Sequence, residues 1–278
     1  MSVEETLQNT LALLALALLG LCLAPILNGL ADNLPRNDLT AGKGIRWALF
    51  VPRCAWCGEP QWGLAAHALL ARLAGRPGCP HCGAPASSRA EWVAVALTLL
   101  LPMLWAQGRH GALSLLEGIV AVFLFLLVTV LDFEHRLVLM EVVFGGALLL
   151  LVLSALRGSL LDSVVGLLAG GGVFLLLFSF GLLFAHAVGS NLAAALGLGD
   201  VSLAALVGLA VGWPAVLPAL LLAIVLAGAA GGAILLWHLA RHRPTGGITM
   251  AYGPYLAVAA LAILIFGPTF FPHGIPMR

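Results

Sequence analysis

Charge is what this chain has least of. Asp, Glu, Lys and Arg make up 9% of its 278 residues, against 62% hydrophobic ones. Soluble domains carry about 25% charged residues, so a soluble globular class is excluded. The net charge is only +1 and no basic tract of useful length exists, which argues against a nucleic-acid partner. A glycine-rich nucleotide loop on a strand–helix turn is also missing, and with it any Rossmann pattern. The N-terminus lacks a basic start. Glu4 and Glu5 precede an apolar run long enough to span, so a membrane helix is expected there rather than a cleaved signal peptide. Cysteine is sparse too, yet four of the five are gathered in two close pairs.

What is abundant is apolar sequence. It falls into eight runs, at roughly 7–31, 91–107, 111–131, 138–156, 161–187, 200–212, 214–238 and 250–267. The expected fold is an all-α polytopic membrane protein of about eight transmembrane helices. The run at 200–212 is short for a crossing, since about 20 residues are needed. Gly145-Gly146, Gly166, Gly170-Gly171-Gly172, Gly228 and Gly231-Gly232 lie inside runs and suit close helix packing in lipid.

The one sizeable polar segment is 32–90, holding Arg36, Lys43, Arg46, Arg53, Arg72, Arg76 and Arg89. The excess of positive charge places it in the cytoplasm. With eight spans, Arg136, Arg241 and Arg243 fall on that same side, and Arg109, Arg157 and Arg278 on the other. The expected organisation is a first transmembrane helix at 1–31, a small cytoplasmic zinc-knuckle domain at 32–90, and a membrane-embedded domain at 91–278.

Within the polar segment, Cys54-Ala55-Trp56-Cys57 and Cys79-Pro80-His81-Cys82 are two C-x2-C knuckles, each followed by a glycine, Gly58 and Gly83. Four thiolates with this spacing suit a closed tetrahedral zinc site of structural kind. The alternatives are two disulfides, which a reducing cytoplasm disfavours, or redox chemistry, for which the strand–helix setting is missing. Cys22, alone in the first run, reads as a small packing residue.

Two aspartates stand in the apolar half. Asp132 ends one run and opens Asp132-Phe133-Glu134-His135-Arg136, and Asp200 closes Gly197-Leu198-Gly199-Asp200 at the start of another. Ionisable groups at a membrane boundary tend to mark function. In the eight-span arrangement both lie on the cytoplasmic side. Two carboxylates brought together can share a proton and activate water, which points to an aspartyl protease acting in or at a bilayer. Each has a plainer reading: Asp200 as a helix cap, Asp132 as a partner of Arg136 one turn on. Glu117 lies about four turns before Asp132 on the same run. His186, Glu134 and His135 could approach the site but read better as structural or solvated groups. Trp56, Trp62 and Trp92 read as packing or interfacial residues.

These pieces together resemble the bacterial type IV prepilin peptidases, bifunctional leader peptidases and N-methyltransferases. Leu27-Asn28 and Leu34-Pro35-Arg36 look like the family's opening segment, and the two knuckles like its cytoplasmic zinc loop. Asp132, with His135 after it, matches the first catalytic aspartate. Gly170-Gly171-Gly172 resembles its fifth-span glycines, Gly197 to Asp200 its GxGD motif, and Tyr252-Gly253-Pro254-Tyr255-Leu256 its last-span FGPFL segment. The resemblance implies Asp132 and Asp200 as catalytic residues and Cys54, Cys57, Cys79 and Cys82 as zinc ligands. It implies prepilins or pseudopilins as substrates, S-adenosylmethionine as methyl donor, and a place in the inner membrane. Asn28 and Arg36 are candidates near the methyl donor. The chain departs from the family at Leu139-Met140, where Pro-Asp is usual, at Ser202, where Lys is usual, and at Tyr252, where Phe is usual. Two other classes stay open on the residues alone. One is a transporter using Asp132, Asp200 and Glu117 as an ion relay; the other is a catalytically impaired pilin-binding assembly protein.

Overall fold

In a computed structural model, the structure describes residues 3–36, 50–75, 78–136, 138–187, 197–241 and 252–270. Lys43, Arg46, Arg76, Arg243 and Arg278, used above for sidedness, lie outside these residues, and of Arg36 only the backbone is described. The described residues form helices α1 (Val3–Asn33), α2 (Ala68–Leu73), α3 (Ser88–Ala106), α4 (Ala112–His135), α5 (Met140–Arg157), α6 (Leu160–Ala187), α7 (Leu198–Val211), α8 (Val216–Ala240) and α9 (Gly253–Phe270). Strands are absent among the described residues, apart from two isolated bridges. Each apolar run of the sequence has become a helix. Six of these are long and apolar enough to cross a membrane, while Leu198–Val211 and Gly253–Gly267 are shorter. The chain is thus an all-α multi-pass membrane protein.

The chain divides into two compact units, Met1–Leu127 and Val128–Arg278. In the first, α1 packs along α3. The two backbones touch: a Cβ on Gly20 would meet the Leu97 carbonyl oxygen at 2.5 Å. The buried residues of α1 include Leu16, Gly20, Ala24, Leu27 and Ala31, at helical spacing. The opposite stripe, Leu7, Leu11, Leu14 and Leu18, is more than half exposed, as a lipid-facing surface is. Cys22 is exposed as well. It continues that stripe one turn on, so it faces outward rather than packing as expected. Trp56, Trp62 and Trp92 are also exposed. Trp92, near the start of α3, suits the aromatic belt of a membrane interface.

In the second unit, α7 is the hub. It packs against α5, α6, α8 and α9, and Leu203, Ala204, Leu206, Val207 and Leu209 along it are almost fully buried. A helix buried on most of its surface belongs to the centre of a bundle. Its closest neighbour is α6, and small residues make that closeness possible. A Cβ on Gly166 would collide with the Gly208 carbonyl, and one on Gly170 with the Ala204 carbonyl. The outer face of α6, with Leu161, Leu168, Leu176 and Leu183, is exposed. The close packing expected of the glycines holds at Gly166 and Gly170, whereas Gly145, Gly172, Gly228 and Gly232 have nothing within 4 Å of a would-be Cβ.

Candidate functional site

Asp132 sits in the last turn of α4 and is 5% exposed. The helix stops just after it. Arg136 takes a left-handed conformation, φ 52°, and its N–H donates to the Asp132 carbonyl at 2.9 Å. Such a residue closes a helix, although side chains other than glycine adopt the conformation rarely. The Arg136 charge acts on the Asp132 carboxylate. Glu134 and His135 are exposed and lie 3.9 Å apart.

Asp200 enters from α7. Gly197 is the N-cap residue, and Asp200, three positions on, accepts its backbone N–H at 3.0 Å through Oδ2. Capping is therefore part of what Asp200 does, but from inside the first turn. The glycines before it serve close approach. Gly197 has an ordinary extended backbone, φ −96°, while a Cβ on Gly199 would press on Val138 at 3.1 Å. Val138 belongs to the segment leaving α4, so the ends carrying the two aspartates are packed together. The two carboxylates are close enough for the charge of Asp200 to act on Asp132.

Two further residues belong to this cluster that the sequence had not marked for it. The backbone of Gly253, at the start of α9, lies against Asp132, and a Cβ there would collide with Oδ2. Its amide is the backbone donor turned toward that carboxylate, while Oδ2 itself has no full hydrogen-bond partner among the described residues. Tyr252, next to it, feels the charge of Asp200. Its ring meets that of the fully buried Phe174 at a tilt of 58°, 5.6 Å between centroids. The signal was present in Tyr252-Gly253-Pro254, but nothing local says which carboxylate it meets. Glu117 is buried in the first unit, and His186 is exposed near the end of α6.

The cysteine centre lies in the first unit. All four Sγ atoms of Cys54, Cys57, Cys79 and Cys82 are within 4.8 Å of one another. Cys54 and Cys82 are 3.7 Å apart and Cys57 and Cys79 3.8 Å, too far for disulfide bonds. A tetrahedron of sulfurs at about 2.3 Å from zinc has edges of about 3.8 Å, so the cluster fits that ion. The two knuckles are built alike. Gly58 donates to the Cys54 carbonyl and Gly83 to the Cys79 carbonyl, each at 2.9 Å, and both glycines have φ above +70°. Arg53 bridges to Pro60 and Gly78 to Pro85. The repeated unit is Cys-x-x-Cys-Gly-x-Pro, a short internal repeat that the sequence reading had passed over.

The sulfurs also need a cation electrostatically. Backbone N–H groups at Cys82 and His81 bring the Cys79 thiol down to about 6. At Cys57 a backbone bond involving Glu59 favours the thiolate, but desolvation and three neighbouring sulfurs outweigh it and the thiol stands at about 12. Four thiolates cannot coexist here uncompensated, and a divalent ion removes the conflict.

The type IV leader peptidase family matches residues 119–232, a stretch that takes in Asp132 and Asp200. A prepilin leader peptidase/N-methyltransferase of Aeromonas hydrophila is 32% identical over 229 residues, covering 79% of this chain and 73% of its own length. The chain belongs to the type IV leader peptidase family. A second relative of the same description, from Stutzerimonas stutzeri, is 30% identical over 289 residues, covering 95% of this chain and 94% of its own length. A third, from Burkholderia pseudomallei (strain K96243), is 30% identical over 237 residues, with 83% and 72% covered. No solved structure matches this leader peptidase chain.

Proposed function

We propose that this chain cleaves the leader peptides of type IV prepilins or pseudopilins at the cytoplasmic face of the inner membrane, and methylates the new N-terminus. The observation that carries the reading is the meeting of Asp132 and Asp200 beside α9 in a chain of the leader peptidase family. Such a substrate has a short basic leader, a glycine before the cut and a long apolar helix after it. The apolar helix docks among the membrane helices while the leader stays in the cytoplasm. Asp132 and Asp200 act as the catalytic pair and hold one proton between them. The ionised member takes a proton from water, which attacks the scissile carbonyl. The protonated member polarises that carbonyl and then protonates the leaving amine. The two titrate as a unit, so the roles belong to the pair.

In this reading 1–31 is the first transmembrane helix, 32–90 the zinc-binding domain on the cytoplasmic side, and 91–278 the membrane-embedded peptidase. Cys54, Cys57, Cys79 and Cys82 hold zinc in a closed site that supplies folding energy rather than chemistry. S-adenosylmethionine, when bound, supplies an electrophilic methyl group on a sulfonium sulfur.

The test is a cleavage assay in detergent with a prepilin from the same genome, the product's N-terminus being read by mass spectrometry. A cut after the leader glycine is expected, and both Asp132→Asn and Asp200→Asn should abolish it while zinc content stays at wild-type level. Near wild-type cleavage by either variant would remove the dyad assignment. A further gain of one methyl mass with S-adenosylmethionine is expected for the second activity.

A further inference from the structure

The peptidase site holds a polar group that the proposed cleavage leaves unused, the phenol of Tyr252. The residue stands at the start of α9, where its carbonyl accepts the N–H groups of Tyr255 at 3.1 Å and Leu256 at 3.4 Å. Its backbone is therefore fixed by the helix it opens. The next residue, Gly253, touches both helices that carry the aspartates. A Cβ there would collide with Asp132 Oδ2 and lie 3.3 Å from Leu203 Cδ2. Leu203 is three positions after Asp200 on α7, and residues so spaced share a helix face.

The far side of Tyr252 is set by α6. Helices α6 and α7 run antiparallel in a register that two contacts define: Gly166 meets the Gly208 carbonyl and Gly170 the Ala204 carbonyl. Four residues forward on one helix match four residues back on the other. One turn further, the same register sets Phe174 level with Asp200. Phe174 is fully buried, and the half-buried Tyr252 lays its ring against it at 5.6 Å between centroids. Tyr252-Gly253 thus spans the pair, with glycine backbone on Asp132 and a phenol ring on the Asp200 side. The charge of Asp200 acts on Tyr252.

Asp200 is short of donors. Its Oδ2 takes the Gly197 N–H at 3.0 Å, and no other hydrogen bond reaches its carboxylate among the described residues. An ionised carboxylate among apolar helices needs more than one. A phenol is neutral near pH 7 and donates one hydrogen bond. Packing against Phe174 asks only for a ring, whereas a tyrosine hydroxyl in a partly buried place normally has a polar partner. Catalytic hydrogen bonds are often long or absent before substrate binds and tighten in the complex.

We propose that Tyr252 is a positioning residue of the peptidase: with substrate in place, its hydroxyl donates a hydrogen bond to the Asp200 carboxylate and holds it toward Asp132. The inference rests on the peptidase half of the proposed function. The bond supports the charged form of Asp200 and replaces solvent that the docked apolar helix expels.

The experiment measures steady-state cleavage of prepilin by the zinc-loaded full chain in detergent. Tyr252→Phe keeps the ring on Phe174 and removes the hydroxyl alone. It should lower kcat on the order of tenfold or more, with KM within about twofold of wild type and zinc content unchanged. A packing role predicts instead that Phe restores all that Tyr252→Leu loses, so a wild-type kcat for Tyr252→Phe overturns the inference. Fluorine NMR gives a readout on the intact site. Tyr252 and Tyr255 are the chain's two tyrosines, so fluorotyrosine labelling gives two resonances, which Tyr255→Phe assigns. The probe is a prepilin peptide with a secondary amine in place of the scissile amide. With it bound, the Tyr252 resonance should differ between wild type and Asp200→Asn, and an unchanged position overturns the contact. The arms separate the two readings. If the wild type cuts prepilin and Tyr252→Phe cuts it equally well, only the role of Tyr252 falls. If the wild type leaves a verified prepilin uncut, the peptidase reading falls and takes this role with it.

Discussion

Gly253 is packed face to face with Asp132: there is no space for a single methyl group between its Cα and the carboxylate oxygen Oδ2. The start of α9 thus forms a wall of the site out of bare backbone. Gly253→Ala should push α9 away from Asp132 or turn the carboxylate aside. A displacement of about 1 Å can lower a rate on the order of 100-fold. A loss of that size in prepilin cleavage is expected, with zinc content unchanged because the cysteine cluster lies in the other unit. Cleavage within a factor of two of wild type would show that the wall does not constrain the carboxylate.

The contact of α6 with α7 makes a matched pair of predictions. Gly170 meets the Ala204 carbonyl, whereas Gly172, two residues on, has nothing within 4 Å of its would-be Cβ. Gly170→Ala should overpack the crossing at a cost of about 1–3 kcal/mol and reduce cleavage by shifting the helix that carries Asp200. Gly172→Ala should be neutral or stabilising by up to about 1 kcal/mol, since it removes only backbone freedom. Thermal unfolding in detergent distinguishes them. Equal effects of the two would mean that the crossing does not position α7.

Zinc uptake should depend on pH in a defined direction. Cys57, standing at about 12 without metal, is protonated throughout the range from 6.5 to 9, so binding must release at least its proton. Affinity should then rise at least about tenfold for each pH unit across that window. Cys79, at about 6, adds a second proton only below that value, so affinity falls more steeply in acid. Competition with a chromogenic chelator at pH 7 and pH 8 measures this. An affinity independent of pH would contradict thiolate ligation by Cys57.

Glu117 separates a peptidase from an ion relay. It is buried in the first unit, whereas Asp132 and Asp200 belong to the second. Glu117→Gln should leave prepilin cleavage near wild type. A loss comparable to that of Asp200→Asn, with the protein still folded, would favour the relay.

The helical framework was legible because apolar runs of this length have one stable state in lipid, the helix with its backbone bonds closed internally. Asp132 and Asp200 were legible because charge is conspicuous in such runs. The four cysteines were legible because knuckle spacing is local. The contacts between distant residues were not. Gly253 on Asp132 and Arg89 on Asp32, the latter 57 residues apart, depend on how helices dock, which a side-chain pattern does not encode. The Gly199 approach to Val138 was hidden for a like reason. A glycine announces that something comes close, not what it is. Cys22 reads as a core residue by type, and only its register with Leu7, Leu11, Leu14 and Leu18 turns it outward.

The length of α7 has a consequence of its own. Its 14 residues rise about 21 Å, and a bilayer's hydrocarbon core is about 30 Å thick. The helix at the centre of this bundle therefore falls about 9 Å short of the depth that its longer neighbours can cross. Inside a bundle, such a shortfall is met by protein or by a water-lined cavity. A cavity at the end of α7 that carries Asp200 would bring water to a depth where lipid chains otherwise exclude it. A peptide bond next to an apolar helix can then be hydrolysed without that helix being drawn out of the membrane.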